Sequence, residues 1–348
     1  MAFLPTDKKF DQAAAVLPAR IRALLLALPP QEKRQIREIR IRAGLPIHLC
    51  TGKGHFFLAA SGLLTGQPSD DALVVDRPLL TECFRTVCGY SVHAHQEDLR
   101  RGFITLPGGH RVGICGTCVC EAGEIAGVRD ISSLNIRVAR EVTGAAGPLV
   151  QALGGRVGGT LLAGVPGCGK TTVLRDLARQ LGDGSLGQIF KTTVIDERGE
   201  LAAMSGGVPQ NNLGYCCDVL SGYPKGDAIL QAIRTLSPDY ILCDEIGDER
   251  DAAGLMASVY AGVTMIATVH AGSMEELFSR TAIRPLVDSG AFSTLCFLGD
   301  ASQPGRVHSI YQAGEKDAEN LRNDLYDRRW RLCWTQGLPV PDPAGRSA

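Results

Sequence analysis

The chain has 348 residues, of which 45% are hydrophobic and 21% are charged, and its formal net charge at pH 7 is -1. This length predicts two or three domains with a substantial core, and the composition excludes a disordered or fibrous protein. The nearly neutral charge gives no general attraction to nucleic acid or to an anionic membrane.

No apolar run reaches membrane-spanning length, because the most apolar segment, residues 23–28, ends at Pro29 and Pro30. Residues 1–10 carry charges and are not followed by the hydrophobic region of a signal peptide. We therefore expect a cytoplasmic protein without a membrane span of its own.

Twelve cysteines are spread along the chain, and their placement argues against a disulfide framework. Five of them lie in apolar surroundings that predict buried thiols: Cys50, Cys83, Cys88, Cys243 and Cys296. Cys115, Cys118 and Cys120 are spaced closely enough to suggest a zinc site, but no second ligand pair follows at a suitable distance. We interpret these three as structural thiols as well.

The first part of the chain predicts an α+β domain over residues 1–143. Its predicted helices cover residues 12–28, started or interrupted near Pro18, and residues 77–92. Its predicted strands cover residues 38–42, 47–50, 102–106, 110–115 and 133–138. Residues 51–76 define no element and include an expected exposed loop around residues 66–71.

Residues 144–148 form a small-residue junction that we interpret as a linker. After it, strands are predicted at 160–163, 192–196, 239–243 and 263–269, and helices at 170–181, 227–236, 249–261 and 273–284. Strands that alternate with helices of this length predict a parallel sheet covered on both faces, here over residues 149–312.

The end of the chain predicts weaker structure. Residues 295–298 and 307–311 are expected to add edge strands. Residues 313–348 are expected to form a C-terminal extension that is partly disordered, above all at 337–348, where proline and glycine are dense.

A phosphate-binding loop lies where the first strand of the second domain meets its first helix. The pattern G-x-x-x-x-G-K-T follows the strand directly and comprises, with the next residue, Gly164, Val165, Pro166, Gly167, Cys168, Gly169, Lys170, Thr171 and Thr172. Glycines let successive backbone N–H groups surround an anion, and the helix N-terminus and Lys170 add positive charge. Thr171 is predicted to offer its hydroxyl to Mg²⁺, so the loop predicts a nucleoside triphosphate site.

Two carboxylates follow the strand at 239–243. The carboxyl end of a parallel strand is where such folds bind ligands. Asp244 is therefore predicted to hold Mg²⁺, and Glu245 to orient and polarise the attacking water.

Two more strand ends carry polar residues at the same predicted edge. Asp196 and Glu197 end the strand at 192–196, although Asp-Glu-Arg-Gly is also ordinary turn chemistry. Thr268 and His270 end the strand at 263–269, where the histidine either senses the γ-phosphate or forms ordinary hydrogen bonds. We expect Glu197 and His270 to belong to the nucleotide site.

With these motifs in place, the chain resembles the stage III sporulation protein AA family, a relative of the RecA-like ATPases of type II and type IV secretion and pilus systems. The resemblance covers nearly the whole chain. Its specific blocks are residues 38–42, 102–116 (GFITLPGGHRVGICG), 133–141, the phosphate loop, 194–201 and 234–251.

The resemblance implies roles for further residues. Asp196, Glu197 and Glu200 match an acidic box, and Thr268 and His270 match a histidine box. Secretion ATPases commonly have Gly-Glu-x-Arg-Asp where this chain has residues 244–248, which leaves open which arginine, such as Arg250, replaces the missing one. N-terminal arginines of the larger family reach the nucleotide, and Arg111, Arg129 and Arg137 lie on matching segments.

The implied function is that of an ATP- and Mg²⁺-dependent homo-oligomeric motor, expected to be a hexamer. It would power a transport or channel apparatus between mother cell and forespore, docked on membrane-embedded partner proteins from the cytoplasm of the mother cell. A nucleotide-dependent assembly scaffold with little turnover remains an alternative. A nucleic-acid translocase is disfavoured, because the chain has only 5% aromatic residues and almost no net charge.

Overall fold

The protein divides into two compact units in a computed structural model that describes residues 6–313 and 330–335. The first unit comprises the residues up to Glu141 together with Ala203–Asn211. The second comprises Val142–Ala202 and the residues from Asn212 onward. The chain therefore belongs to the first unit twice, which its sequence gave no reason to expect.

The first unit is an antiparallel sheet with helices packed against it. Its helices are α1 (Thr6–Ala15), α2 (Ala19–Ala27), α3 (Pro30–Lys33), α4 (Arg77–Val87) and α5 (Gln96–Arg100), with a 3₁₀ turn at Val92–His95. Its strands are β1 (Ile36–Arg42), β2 (His48–Thr51), β3 (His55–Leu58), β4 (Leu64–Thr65), β5 (Phe103–Thr105), β6 (Arg111–Glu121) and β7 (Glu124–Arg137). They lie side by side in the order β4-β3-β2-β1-β7-β6-β5.

Strand β1 shows why this sheet forms. Ile36, Ile39 and Ile41 are fully buried against the helices, and the charged residues between them remain at least partly accessible. This alternation is the signature of a strand with one face on the core. The core also holds Phe10, Ile21 and Leu25 from α1 and α2.

Several elements of the first unit end where the sequence did not predict it. The helix predicted over residues 12–28 divides near Pro18 as expected, where Pro18 is the extended N-cap of α2, but α1 begins at Thr6 instead of residue 12. Helix α4 ends at Val87 instead of residue 92, because Gly89 and Tyr90 have positive φ. Residues 51–76 contain β3 and β4, and β7 begins nine residues before the predicted strand at 133.

The second unit alternates strands with helices. Its helices are α6 (Gly147–Ala152), α7 (Lys170–Asp183), α8 (Lys225–Thr235), α9 (Glu249–Tyr260), α10 (Met274–Ser279) and α11 (Arg284–Asp288). Its strands are β8 (Thr160–Ala163), β9 (Thr192–Asp196), β10 (Cys217–Ser221), β11 (Tyr240–Cys243), β12 (Thr264–Val269), β13 (Thr294–Leu298), β14 (Val307–Ala313) and β15 (Trp330–Thr335).

The strands of the second unit form one sheet in the order β10-β9-β11-β12-β8-β13-β14-β15. The first six are parallel, and the last two are antiparallel additions. Strand β12 lies between β8, which leads into the phosphate loop, and β11, which leads into Asp244. The predicted fold class, an α/β domain with a mainly parallel sheet after an α+β domain, is confirmed.

Both faces of this sheet are buried, as the alternation predicted. Leu161, Ile241 and Met265 share a core cluster with residues of α8, α9 and α10. Their strand neighbours point to the opposite face, along which α7 packs across β8, β9 and β12. Strands buried on both faces read as continuous apolar runs, which made β8 and β11 easy to recognise.

The predictions that residues 295–298 and 307–311 form edge strands are both wrong. Strand β14, at Val307–Ala313, pairs with β13 on one side and β15 on the other. Strand β13 pairs with β8 on one side and β14 on the other, and its five residues are all buried. The sequence also missed β10, which is only partly buried. The helix predicted at 273–284 is two short helices, and the disorder predicted at 337–348 lies outside the described residues.

The cysteines divide into two groups. Cys83, Cys88, Cys243 and Cys296 are buried as predicted, and burial raises the thiol pKa of Cys83, Cys243 and Cys296 to about 12 and that of Cys88 to about 11. Cys115, Cys118 and Cys120 are exposed on β6, so they do not belong with the buried thiols. Cys50 is only half-buried.

In the described part of the chain, no helix is both long and apolar enough to cross a bilayer.

One buried histidine makes the stability of the first unit depend on pH. His110 is fully buried, and its Nδ1 accepts a hydrogen bond from the Ala139 amide at 3.0 Å. Burial, with a smaller effect of Lys9, lowers the pKa of His110 to about 4 from an ordinary value of 6.5. The folded unit therefore holds a neutral imidazole at a pH where the unfolded chain binds a proton.

We expect the free energy of unfolding of the first unit to be unaffected by His110 above pH 6.5 and to fall between pH 6.5 and 4, by up to ~3 kcal/mol. Urea unfolding of wild type and His110→Gln across this range measures the effect. The variant should show a shallower loss, whereas His93→Gln, at an exposed site, should follow wild type. Parallel curves for wild type and His110→Gln would contradict this assignment.

Candidate nucleotide site

The phosphate loop joins a buried strand to a long helix. All four residues of β8 are buried, and α7 begins at Lys170 with Gly169 as its N-cap at φ 95°. A Cβ atom on Gly169 would lie 2.4 Å from the Gly305 amide nitrogen, and one on Gly164 would lie 2.5 Å from the Cys168 sulfur. Both positions therefore require glycine, and the loop presents the N-terminus of α7.

Lys170 connects the loop to the end of β12, the strand that pairs directly with β8. Its ammonium group donates to the carbonyl oxygens of Gly164 at 2.8 Å and Val165 at 3.0 Å. It also lies 3.1 Å from His270 Nδ1. Because an ammonium group has only donors, Nδ1 is the acceptor and the imidazole proton is on Nε2.

Asp244 collects hydrogen bonds from three neighbouring elements. Its Oδ2 accepts from the Thr171 hydroxyl at 3.0 Å, and its Oδ1 accepts from the Thr268 hydroxyl at 2.7 Å and the Glu245 amide at 3.0 Å. The Thr268 hydroxyl oxygen also accepts from the Glu245 amide, at 2.8 Å. These bonds tie the start of α7 and the ends of β11 and β12 together.

Thr171 and Asp244 have the chemistry of a magnesium site. Hydroxyl and carboxylate oxygens are the hard ligands that Mg²⁺ prefers. Adjacent ligands of an octahedral Mg²⁺ with bonds of 2.0–2.1 Å are about 2.9 Å apart, and the two oxygens here are 3.0 Å apart. The pair therefore fits the ion that the sequence predicted.

Glu245 is held in a strained conformation by several contacts. Its φ is 23°, a value that residues other than glycine rarely adopt, and Lys225 donates to its carbonyl oxygen. One carboxylate oxygen forms an ion pair with Arg198 at 2.9 Å, and the other lies 3.4 Å from His270 Nε2. His270 thus bridges Lys170 and Glu245.

A buried lysine, Lys225, binds the backbone of Glu245 and two neighbouring carboxylates. Lys225, at the start of α8, is 6% exposed and lies 3.2 Å from Asp251 and 3.6 Å from Glu197. Asp251 in turn accepts from the Gly247 amide at 2.9 Å. A buried ammonium group requires such partners, so Lys225 fixes the positions of Glu197 and of the turn after β11.

The two carboxylates at the end of β9, Asp196 and Glu197, have different surroundings. Asp196 is buried, and its carboxylate accepts hydrogen bonds from the amides of Glu200, Leu201 and Ala202 at 2.8–3.1 Å. Through these hydrogen bonds the Asp196 carboxylate fixes the turn that follows β9. Glu197 is half-exposed and faces Lys225, which places its carboxylate beside the Glu245 backbone.

The N-terminal arginines lie in the first unit. Arg111 begins β6, Arg137 ends β7, and the two are opposite each other in the sheet. Arg111 stacks over the Phe103 ring at 4.1 Å, and Arg137 lies 3.8 Å from Glu38. Arg129 is elsewhere on β7, beside Asp130 at 3.8 Å.

The structure brings together most of the residues predicted from the second unit. Lys170, Thr171, Asp244, Glu245 and His270 form one connected network with Thr268. The sequence missed Lys225 and Asp251, which have no motif of their own, and it left open which arginine, such as Arg250, replaces the one missing from the motif. The arginine that pairs with Glu245 is Arg198. Arg198 directly follows Asp196 and Glu197, and that adjacency was the available signal.

Comparisons with known proteins agree with the motifs. The sequence profile of the family described as "Sporulation stage III, protein AA" matches residues 7–317. The stage III sporulation protein AA of Bacillus subtilis (strain 168) is 36% identical over 313 residues, which cover 89% of this chain and 97% of that protein. The uncharacterized protein ycf45 of Porphyra purpurea is 28% identical over 57% of this chain and 34% of its own length.

Solved structures with a similar fold are more distant. The ATPase DotB of Legionella pneumophila has 15% sequence identity and a TM-score of 0.48, over 75% of this chain and 72% of that one. The VirB11 ATPase of the Brucella suis type IV secretion system has 16% identity and a TM-score of 0.32, over 87% of this chain and 97% of that one.

The hydrogen bonds of Asp196 predict a loss of stability on substitution. Asp196→Asn places an amide donor against backbone donors, so we expect the second unit to lose about 2–3 kcal/mol of unfolding free energy. Chemical denaturation measures this loss. Asp218→Asn, at an exposed position on the neighbouring strand β10, should change stability by less than about 0.5 kcal/mol. Equal effects of the two substitutions would refute a structural role for Asp196.

Proposed function

Since the chain belongs to the stage III sporulation protein AA family, we propose that it is an ATP-hydrolysing motor that powers a transport or channel apparatus during endospore formation. The observation that carries this proposal is the network that joins Lys170, Thr171, Asp244, Glu245 and His270 at the carboxyl edge of one parallel sheet. Parallel α/β sheets bind their ligands at this edge.

Binding of ATP is assigned to the phosphate loop. The amides at the start of α7 and the Lys170 ammonium group face the phosphates, where they offset negative charge. Thr171 and Asp244 would hold Mg²⁺, which would neutralise charge on the phosphate oxygens.

Hydrolysis is assigned to Glu245. Its carboxylate lies at the strand end next to the magnesium ligands, where it orients and polarises water for attack on the γ-phosphate. The His270 ring contacts both Lys170 and Glu245. Loss of the γ-phosphate beside Lys170 therefore changes the contacts of the Glu245 carboxylate through the His270 ring. Glu197 acts through Lys225, which binds the Glu245 carbonyl oxygen.

Arg111 and Arg137 lie opposite each other on the sheet of the first unit. Like charges placed opposite each other on a sheet destabilise it, and an anion between them removes that repulsion. We assign them to the phosphates of the nucleotide, as in the larger family. A hexamer of this chain, docked from the mother-cell cytoplasm on membrane-embedded partners, would turn the resulting movement into transport.

Two substitutions separate binding from hydrolysis. Lys170→Ala should abolish measurable ATP binding, because it removes the charge that the loop positions. Glu245→Gln should retain ATP binding but lower kcat at least about 100-fold, because it removes the base. Glu249→Gln, the same change at an exposed position four residues away, should leave both unchanged. Nucleotide titration and phosphate-release assays measure the two steps.

Hydrolysis at the wild-type rate by Glu245→Gln would overturn the assignment of Glu245. Light scattering with and without ATP measures assembly of the wild type. A wild type that neither hydrolyses ATP nor assembles with ATP would overturn the proposal that the protein is a motor.

One contact favours a second function, an assembly scaffold with little turnover. Glu245 is ion-paired with Arg198 at 2.9 Å, so one of its carboxylate oxygens is already occupied and does not orient water. A scaffold requires ATP binding alone, so sporulating cells that carry Glu245→Gln would still transport. If the protein is a motor, cells with Glu245→Gln lose transport. In that case Arg198→Ala should raise the rate of ATP hydrolysis, because it removes the ion pair with Glu245.

The arginine assignment predicts a loss in turnover. Arg111→Ala and Arg137→Ala should each lower kcat at least about 10-fold, because an arginine that neutralises phosphoryl-transfer charge contributes 10³–10⁵ in comparable enzymes. Arg101→Ala, at an exposed position of the same unit, serves as the control. Wild-type kcat in both variants would remove these arginines from the site.

A further inference from the structure

A cluster of two histidines and a cysteine lies on the β2–β3 hairpin of the first unit. His48 and Cys50 are two residues apart on β2, and His55 on β3 is the cross-strand partner of Cys50. Side chains two residues apart on a strand, and those of directly opposed pairs, share one face of a sheet. Leu49, between the first two, points to the core and is fully buried.

The three side chains converge on one point. His48 Nε2 is 3.0 Å from His55 Nδ1 and 3.8 Å from the Cys50 sulfur, and all three atoms lie within 4.8 Å of one another. With Zn–N bonds of about 2.0–2.1 Å and Zn–S bonds of about 2.3 Å, tetrahedral geometry places nitrogen ligands about 3.3 Å apart and nitrogen and sulfur about 3.6 Å apart. Small side-chain movements therefore suffice to coordinate one ion.

We propose that His48, Cys50 and His55 form a zinc site with a fourth position open to water. Imidazole and thiolate are borderline and soft ligands that suit Zn²⁺ and reject Mg²⁺ and Ca²⁺. The site is separate from the phosphate loop in chemistry and in sequence. Its ion joins neighbouring strands and stabilises the hairpin that carries it.

The hairpin positions the ligands before a metal binds. The His48 ring stacks on Phe57 with ring centres 5.2 Å apart and an angle of 21°. The turn is closed by the Thr51 side chain, whose oxygen accepts from the Lys53 and Gly54 amides at 3.1 Å and donates to the Gly54 carbonyl at 3.0 Å. A preorganised set of ligands loses little conformational entropy on binding.

Charged residues of β1 surround the cluster. Arg40 is paired with His48 and Glu38 with Cys50 across the β1–β2 ladder. Burial, then the nearby groups His55, Arg42 and Arg40, lowers the pKa of His48. Burial raises the pKa of the Cys50 thiol, so metal binding must release its proton.

Cobalt provides the spectroscopic test. The full-length reduced chain, freed of metal, is titrated with Co²⁺, and Zn²⁺ is then added as competitor. We expect one equivalent of Co²⁺ to give a thiolate-to-cobalt charge-transfer band with strong tetrahedral d–d absorption, which Zn²⁺ abolishes. Co²⁺ at the oxygen ligands Thr171 and Asp244 gives no thiolate band.

Variants assign the signal to residues. Cys50→Ser should lose the charge-transfer band, and His55→Gln should lower the affinity by more than the roughly 10–100-fold that loss of an outer-shell partner costs. The matched control is the double variant Cys118→Ser with Cys120→Ser, whose exposed sulfurs are 3.5 Å apart on β6. It should bind Co²⁺ like wild type, and circular dichroism checks that each variant is folded.

Three results would overturn the site. They are the absence of a thiolate band in wild type, its persistence in Cys50→Ser, and its disappearance in the Cys118 and Cys120 double variant. Zn²⁺ should also raise the thermal midpoint of wild type but not of His55→Gln, and equal shifts in the two would count against the proposal.

Discussion

The candidate nucleotide site depends on the carboxylate of Asp244. It accepts hydrogen bonds from the start of α7, from the end of β12 and from the residue that follows it, so three separate segments share one acceptor. Such an arrangement is possible only because β12 lies between β8 and β11 and ends at the same edge. The topology of the sheet therefore determines which side chains meet, and the carboxylate fixes how closely they do so.

Buried charge gives the site its second constraint. Lys170 and Lys225 are both buried ammonium groups, and each must find acceptors inside the protein. Lys170 takes loop carbonyls and His270, whereas Lys225 takes Asp251, Glu197 and the carbonyl oxygen of Glu245. The strained backbone of Glu245 is held from both sides by this arrangement. Changes in charge next to either lysine must therefore alter the environment of the glutamate.

Sequence patterns predicted the second unit better than the first, for physical reasons. Parallel strands buried on both faces, such as β8 and β11, are short apolar runs, and the glycines and lysine of the phosphate loop have fixed spacing. The partly buried β10 and the hairpin extension of β7 have neither a continuous apolar run nor a motif of fixed spacing. The roles of Arg198 and Lys225 depend on contacts across 47 and 20 residues of sequence. No local pattern specifies such contacts, and the same is true of His48, Cys50 and His55, where only the strand register reveals the cluster.

The short segment Ala203–Asn211 makes the two units inseparable as modules. It lies between β9 and β10 in the sequence, yet it is part of the first unit, where Gln210 accepts a hydrogen bond from the Gly108 amide at 2.7 Å. A gene truncated after residue 141 would thus encode a first unit that lacks one of its own pieces. The remainder would carry that piece with nothing to pack against. An exchange of the first unit between related proteins would require a breakpoint near residue 141 and two more on either side of residues 203–211.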